Sequence, residues 1–161
     1  MTNAKKSLLF LITMPAAATV YGPLFLLWRT HQLHVPSLWW QYAGLLPIGG
    51  AAWLTAWSGR DFAVVGEGTP APIDPPKNLV VCGPYRFSRN PMYVSAMLML
   101  LGEAALFASS SMLVYAAIAF IAFNLFVIFY EEPTLRKLFG EEYAQFCRDV
   151  PRWIGFGRCR K

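Results

Sequence analysis

GPYRFSRNPMY, residues 83–93, sets Tyr85, Arg89, Asn90 and Tyr93 at the entrance of an apolar run, and Glu131 and Glu132 follow the end of the next run. Hydroxyls, a guanidinium, an amide and carboxylates together can hold a polar, charged molecule from several sides. A helix that only enters a membrane needs a cap and nothing more. Two further polar groups, Glu103 and Asn124, stand inside apolar runs. A carboxylate at such a place is a functional candidate by default, although Glu103 is near the outer end of its run, where water is within reach. An amide such as Asn124 serves equally well as a bond to a neighbouring helix. Metal chemistry is not indicated. Cys82, Cys147, Cys159, His31 and His34 show no ligand spacing, and three cysteines on the expected cytoplasmic side do not suggest a disulfide framework.

The elements that must position these groups are apolar. Of 161 residues, 56% are hydrophobic and 14% charged, with mean hydropathy +0.40, where soluble chains carry about 25% charged residues. Four runs, about 8–28, 38–57, 92–108 and 112–130, predict four transmembrane helices. Pro15, Pro23 and Pro47 predict kinks in the first two. Lys5 and Lys6 before an apolar core and Ala16-Ala17-Ala18 imitate a secretory signal, but the run continues to Trp28 and has spanning length. All basic residues except Arg29 fall on one side if both termini are cytoplasmic, which fixes that orientation. Trp28, Trp39, Trp40 and Trp57 stand at the expected interfaces. The net charge of +5 is then a topology signal, and nucleic-acid binding is not indicated.

The polar groups gather in two cytoplasmic pieces of one domain, 1–161. The link from about Ser58 to Pro91 holds Pro70, Pro72, Pro75 and Pro76, which forbid a regular helix, and Lys77–Cys82 suits an extended piece. Beyond Tyr130 the fourth helix continues to Phe139, Gly140 stops or bends it, and Glu141-Glu142 open another helix. Tyr143, Phe146, Cys147 and Val150 form one apolar stripe, suited to the bilayer surface or to the long link. A pocket between the two pieces would open to water on one side and lipid on the other. It could admit a soluble charged cofactor and a greasy substrate.

GPYRFSRNPMY followed by EEPTLRKLFGEEYAQFCRDVPRW resembles the isoprenylcysteine carboxyl methyltransferases and the related phospholipid N-methyltransferases, over residues 66–154. The resemblance implies an all-α integral membrane enzyme of four transmembrane helices with a cytoplasmic C-terminal helical segment. It implies S-adenosylmethionine as cofactor, held by residues 66–93 and 131–154. By position, the cofactor contacts are Lys77, Asn78, Leu79, Val80, Tyr85, Asn90, Pro91, Met92, Tyr93 and Glu131, with Arg89 suited to the cofactor carboxylate. Asn90, Tyr93 and Glu131 would border the reacting methyl, and Asn124 is a candidate substrate contact on the face of Glu131. The methyl acceptor would be a lipid or small apolar molecule.

Two positions depart from the family pattern. Asn90 replaces a histidine, which keeps hydrogen bonding but removes a general base. Val127 replaces the arginine with which eukaryotic members engage a prenylcysteine, which argues against that acceptor. Other readings are an NADPH-dependent enzyme like the sterol reductases, or a non-catalytic membrane scaffold or transporter. Taken alone, the turn before Pro91 and the Glu131-Glu132 pair read as helix ends; their joint order and separation favour a site.

Overall fold

The computed structural model describes residues 17–66 and 77–155. Pro15, the signal-like stretch before Ala17, the four prolines of the long link and Cys159 lie outside them. Among the described residues every regular element is helical. A wide π turn, Ala17–Tyr21, leads into α1, Gly22–Arg29; a 3₁₀ turn, Trp39–Gly44, leads into α2, Leu45–Val65. A 3₁₀ turn at Gly83–Arg86 precedes α3, Pro91–Leu106; then come α4, Ser110–Phe126, a second π turn, Val127–Glu131, and α5, Glu132–Asp149.

Prolines account for most of the irregularity. Pro23 stands in the first turn of α1 and has no N–H to return to Thr19, so the helix widens just upstream of it. Pro133 repeats this in relation to Phe129, and the second wide turn falls at the same offset before it. Pro47 does not kink α2 as its run suggested. It sits in the first turn, where no N–H has an intrahelical partner. Nor does α2 stop at Trp57. Arg60 and Asp61 end the apolar run without breaking helical geometry, so Ser58–Val65 belong to the helix and the link begins at Gly66.

At the end of the bundle away from Asn90, Leu27, Leu100, Ala104, Met112 and Ala116 form a buried cluster. Ala108, at φ 48, makes the tight turn between α3 and α4, and Ser109 caps α4 by accepting from the Met112 N–H at 3.2 Å. The approach of α2 to α3 is set by small residues. A methyl on Gly44 would lie 2.5 Å from the Gly102 carbonyl oxygen, and one on Gly102 would lie 2.6 Å from the Ile48 side chain. Further along, Thr55 Oγ1 donates to Ser95 Oγ at 2.9 Å.

From Ser110 to Asp149 the chain is one continuous helical rod of 40 residues. It is the one helix among the described residues that is long and apolar enough to cross a membrane, and little of its apolar part is buried. Leu113, Val114, Ile118, Ile121 and Leu125 are exposed along it. A core helix of a water-soluble domain would bury such a face. Gly140, at φ 52 and ψ −122, bends the rod, which is the break expected there.

Gly44→Ala should cost about 1–3 kcal/mol by overpacking and lower the unfolding temperature of the detergent-solubilised protein. Gly49→Ala, where a methyl meets nothing within 4 Å, is the control and should not.

Candidate active site

Pro91 opens α3 where its missing N–H is harmless, and the backbone just before it turns sharply. Gly83 has φ 54, and a side chain on it would run into Asp61 and Trp57 of α2. The turn therefore lies flat on the end of α2, with Asp61 close to Tyr85. Tyr85 is buried, and burial first, then the negative charges of Glu131 and Asp61, push its hydroxyl well above the ordinary phenol range. Its ring also lies 6.4 Å from that of Phe62.

Tyr93, one turn into α3, donates its hydroxyl to Glu131 Oε2 at 3.0 Å, across 38 residues of sequence. Phe123 of α4 meets the Tyr93 ring at 5.1 Å. Burial raises the Glu131 carboxyl above the usual carboxylate range; the Tyr93 hydrogen bond pulls it back, and the neighbouring Glu132 adds to the rise. Glu131, Tyr93, Tyr85, Phe62 and Asp61 thus make an acidic, aromatic corner at the end of the bundle. A desolvated carboxylate beside aromatic faces suits a compact cation.

Glu132 faces elsewhere. Consecutive helical residues point about 100° apart, and Glu132 is buried against two arginines. Arg152 grips it with two bonds, Nε to Oε1 at 2.8 Å and Nη2 to Oε2 at 3.1 Å, while Arg89 Nη1 donates to Oε1 at 3.1 Å. Burial alone would raise this carboxyl; the Arg152 hydrogen bonds and the charges of Arg89, Arg152 and Arg136 outweigh it and hold it low. Arg89, expected to face a cofactor carboxylate, also donates to Cys147 Sγ at 2.7 Å, and its Nε is buried without a partner among the described residues.

The remaining candidates spread out from this corner. Lys77 and Asn78 are exposed and tie the link back to α2, through the Lys77 N–H to Gly66 O at 2.8 Å and Asn78 Nδ2 to Val65 O at 3.2 Å. Leu79 and Val80 join Tyr85 in a cluster covered by Tyr143, Phe146, Cys147 and Val150 of the C-terminal stripe. Of the two surfaces open to that stripe, it covers the link. Asn90 is buried, and Met92 lies against Gly59 of α2. Asn124 has no side-chain hydrogen bond among the described residues. The wide turn between it and Glu131 shifts the simple two-turn register that set both on one face. Asp61, Phe62, Phe123 and Arg152 were not singled out from the sequence. Of these only Arg152 carried a signal, the PRW that closes the second motif; Asp61 and Phe62 lie past the apolar run of α2, and Phe123 is one aromatic among several in α4.

Among the described residues, an all-helical bundle with an exposed apolar rod carries a polar corner assembled from two distant motifs, an arrangement in keeping with a membrane protein. A profile described as phospholipid methyltransferase matches residues 39–142, more than half of the 161-residue chain, and the chain belongs to that family. It is therefore a membrane methyltransferase in general type. The match takes in Tyr85, Asn90, Tyr93, Glu131 and Glu132; Cys147 and Arg152 lie beyond it. No curated protein and no solved structure matched.

Because the carboxyl of Glu132 is held below its ordinary value of 4.5, its pairing stabilises the fold above that pH. The contribution disappears as pH falls through the lowered value. Thermal unfolding of the wild type and Glu132→Gln should differ most near neutral pH and converge as pH falls through that lowered value.

Proposed function

We propose that this protein transfers the methyl group of S-adenosylmethionine to a lipophilic or small apolar acceptor at the cytoplasmic face of a membrane. Four helices would span the bilayer with both termini cytoplasmic, in keeping with the distribution of basic residues. The observation that carries the reading is the Tyr93–Glu131 hydrogen bond of 3.0 Å. It joins the entrance of α3 to the acidic end of the rod, as one cofactor pocket requires. The family match supports the reaction type, and its phospholipid description favours a membrane lipid amine as acceptor, ahead of a small thiol or a carboxylate.

The residues of the corner suit this cofactor. When bound, it supplies an already activated methyl on a positively charged sulfur. The Glu131 carboxylate and the Tyr85 and Tyr93 rings offer a favourable field to that charge and to an ammonium group. The amides of Leu79 and Val80, which adjoin Tyr85, would pair with the adenine or carboxylate end. Asn90 lacks a proton-taking role and acts by orientation. Catalysis by this chain would consist of holding donor and acceptor in line and excluding water.

Purified protein should bind S-adenosylhomocysteine and not NADPH; the reverse result would move the chain to the reductase reading. Tyr93→Phe and Glu131→Gln should each weaken binding about 10- to 100-fold, the worth of a charge-assisted hydrogen bond. Glu131→Gln should penalise S-adenosylmethionine more than its product, whose sulfur is neutral. Labelled methyl transfer into a lipid extract, followed by identification of the product, names the acceptor.

A further inference from the structure

The segment after α5, Val150–Gly155, lies directly on the turn that leads into α3. The Arg89 N–H donates to Pro151 O at 3.0 Å, and the Gly155 N–H donates to Phe87 O at 3.1 Å. Ser88 Oγ and Asn90 Nδ2 both donate to Arg152 O, at 3.3 and 3.0 Å, and Ser88 Oγ accepts from the Asn90 N–H at 3.0 Å. Three consecutive residues of the turn, Ser88, Arg89 and Asn90, thus end on a segment 62–64 residues away. The side chain of Arg152 secures that segment from the other side, through its paired bonds to Glu132.

One consequence is that the two acidic neighbours divide the work. Both oxygens of Glu132 are taken by guanidinium groups, which leaves it little capacity to bind anything else. A second consequence concerns Asn90. One N–H of its amide donates to the Arg152 carbonyl, which orients the group, and its Oδ1 accepts no bond from the described residues, so that oxygen is an acceptor it can offer a ligand.

We propose that Glu132 and Arg152 are positioning residues: their ion pair locks the Val150–Gly155 strap onto the Ser88–Asn90 turn, and the strap orients the Asn90 amide with its oxygen free for an N–H of the bound cofactor. This rests on the cofactor site proposed above. The strap is then part of the binding site although it lies beyond the residues that match the family. Breaking the lock frees Asn90 to rotate and lets the turn move away from Tyr93. The effect reaches the ligand through geometry alone, because Glu132 does not touch it.

The test pairs S-adenosylhomocysteine binding with amide hydrogen exchange of the full-length protein in detergent. Glu132→Gln should raise Kd about tenfold or more and speed exchange at Arg89 and Gly155. Arg152→Gln should do the same, and Arg152→Lys, which keeps the charge, should recover most of the affinity. Asn90→Asp, which sets an anion against the Arg152 carbonyl, should loosen the strap as well. Tyr93→Phe should weaken binding with the strap still protected. Loss of binding in Glu132→Gln with exchange unchanged would mean that Glu132 touches the ligand, and the proposal falls. Faster exchange with affinity kept within about twofold would make the strap structural only, and it falls again. If Glu132→Gln does not fold, Arg152→Gln carries the test, since the Arg152 side chain is already 34% exposed. If the wild type binds no S-adenosylhomocysteine, the proposed function and the positioning role fail together, while exchange still reports whether the ionic lock exists.

Discussion

Two adjacent carboxylates on one helix cannot look the same way, and the site depends on that divergence. Glu131 turns to Tyr93 and is left desolvated, with a single phenolic partner. Glu132 turns to Arg89 and Arg152 and is fully compensated. A desolvated charge is costly unless something neutralises it, so Glu131 is the group that the proposed cationic ligand would relieve. Glu132 spends its charge inside the protein and stiffens the frame around its neighbour.

The frame comes from close helix packing and from prolines that alter helices without ending them. Gly44 and Gly102 let α2 and α3 touch nearly backbone to backbone, and this contact aligns the end of α2 with the turn before α3. Asp61 and Phe62 then arrive beside Tyr85. On the other side, Pro133 widens the rod just where Glu131 must meet α3. Beyond Gly140 the last helix folds its aromatic stripe over the link, so Val80, Tyr85, Tyr143, Phe146 and Val150 form one apolar cluster beside the polar corner.

Much of this was legible in the chain. The apolar runs, the bend at Gly140, the stripe beginning at Tyr143 and the two motifs follow from periodicity, composition and resemblance. The boundaries of α2 were not, because hydropathy reports where lipid contact ends and says little about where a helix ends. The division between Glu131 and Glu132 was not legible either. That the two diverge follows from helical winding, but which of them meets Tyr93 and which the arginines depends on the register change in the wide turn, and a repeat pattern read at 3.6 residues per turn misses that. Arg152 escaped notice because one arginine in a basic tail reads as solvated charge until a buried partner is seen.

The wide turn Val127–Glu131 also bears on how such chains can change. Its extra residue makes the distance from the apolar run to the acid pair part of the active-site specification. Rewinding that turn to ordinary α geometry with all its residues in place would swing both carboxylates around the axis by roughly a quarter turn. The pair would then be intact in letters and misaimed in space. The winding of this joint therefore aims the acids as much as their identity does.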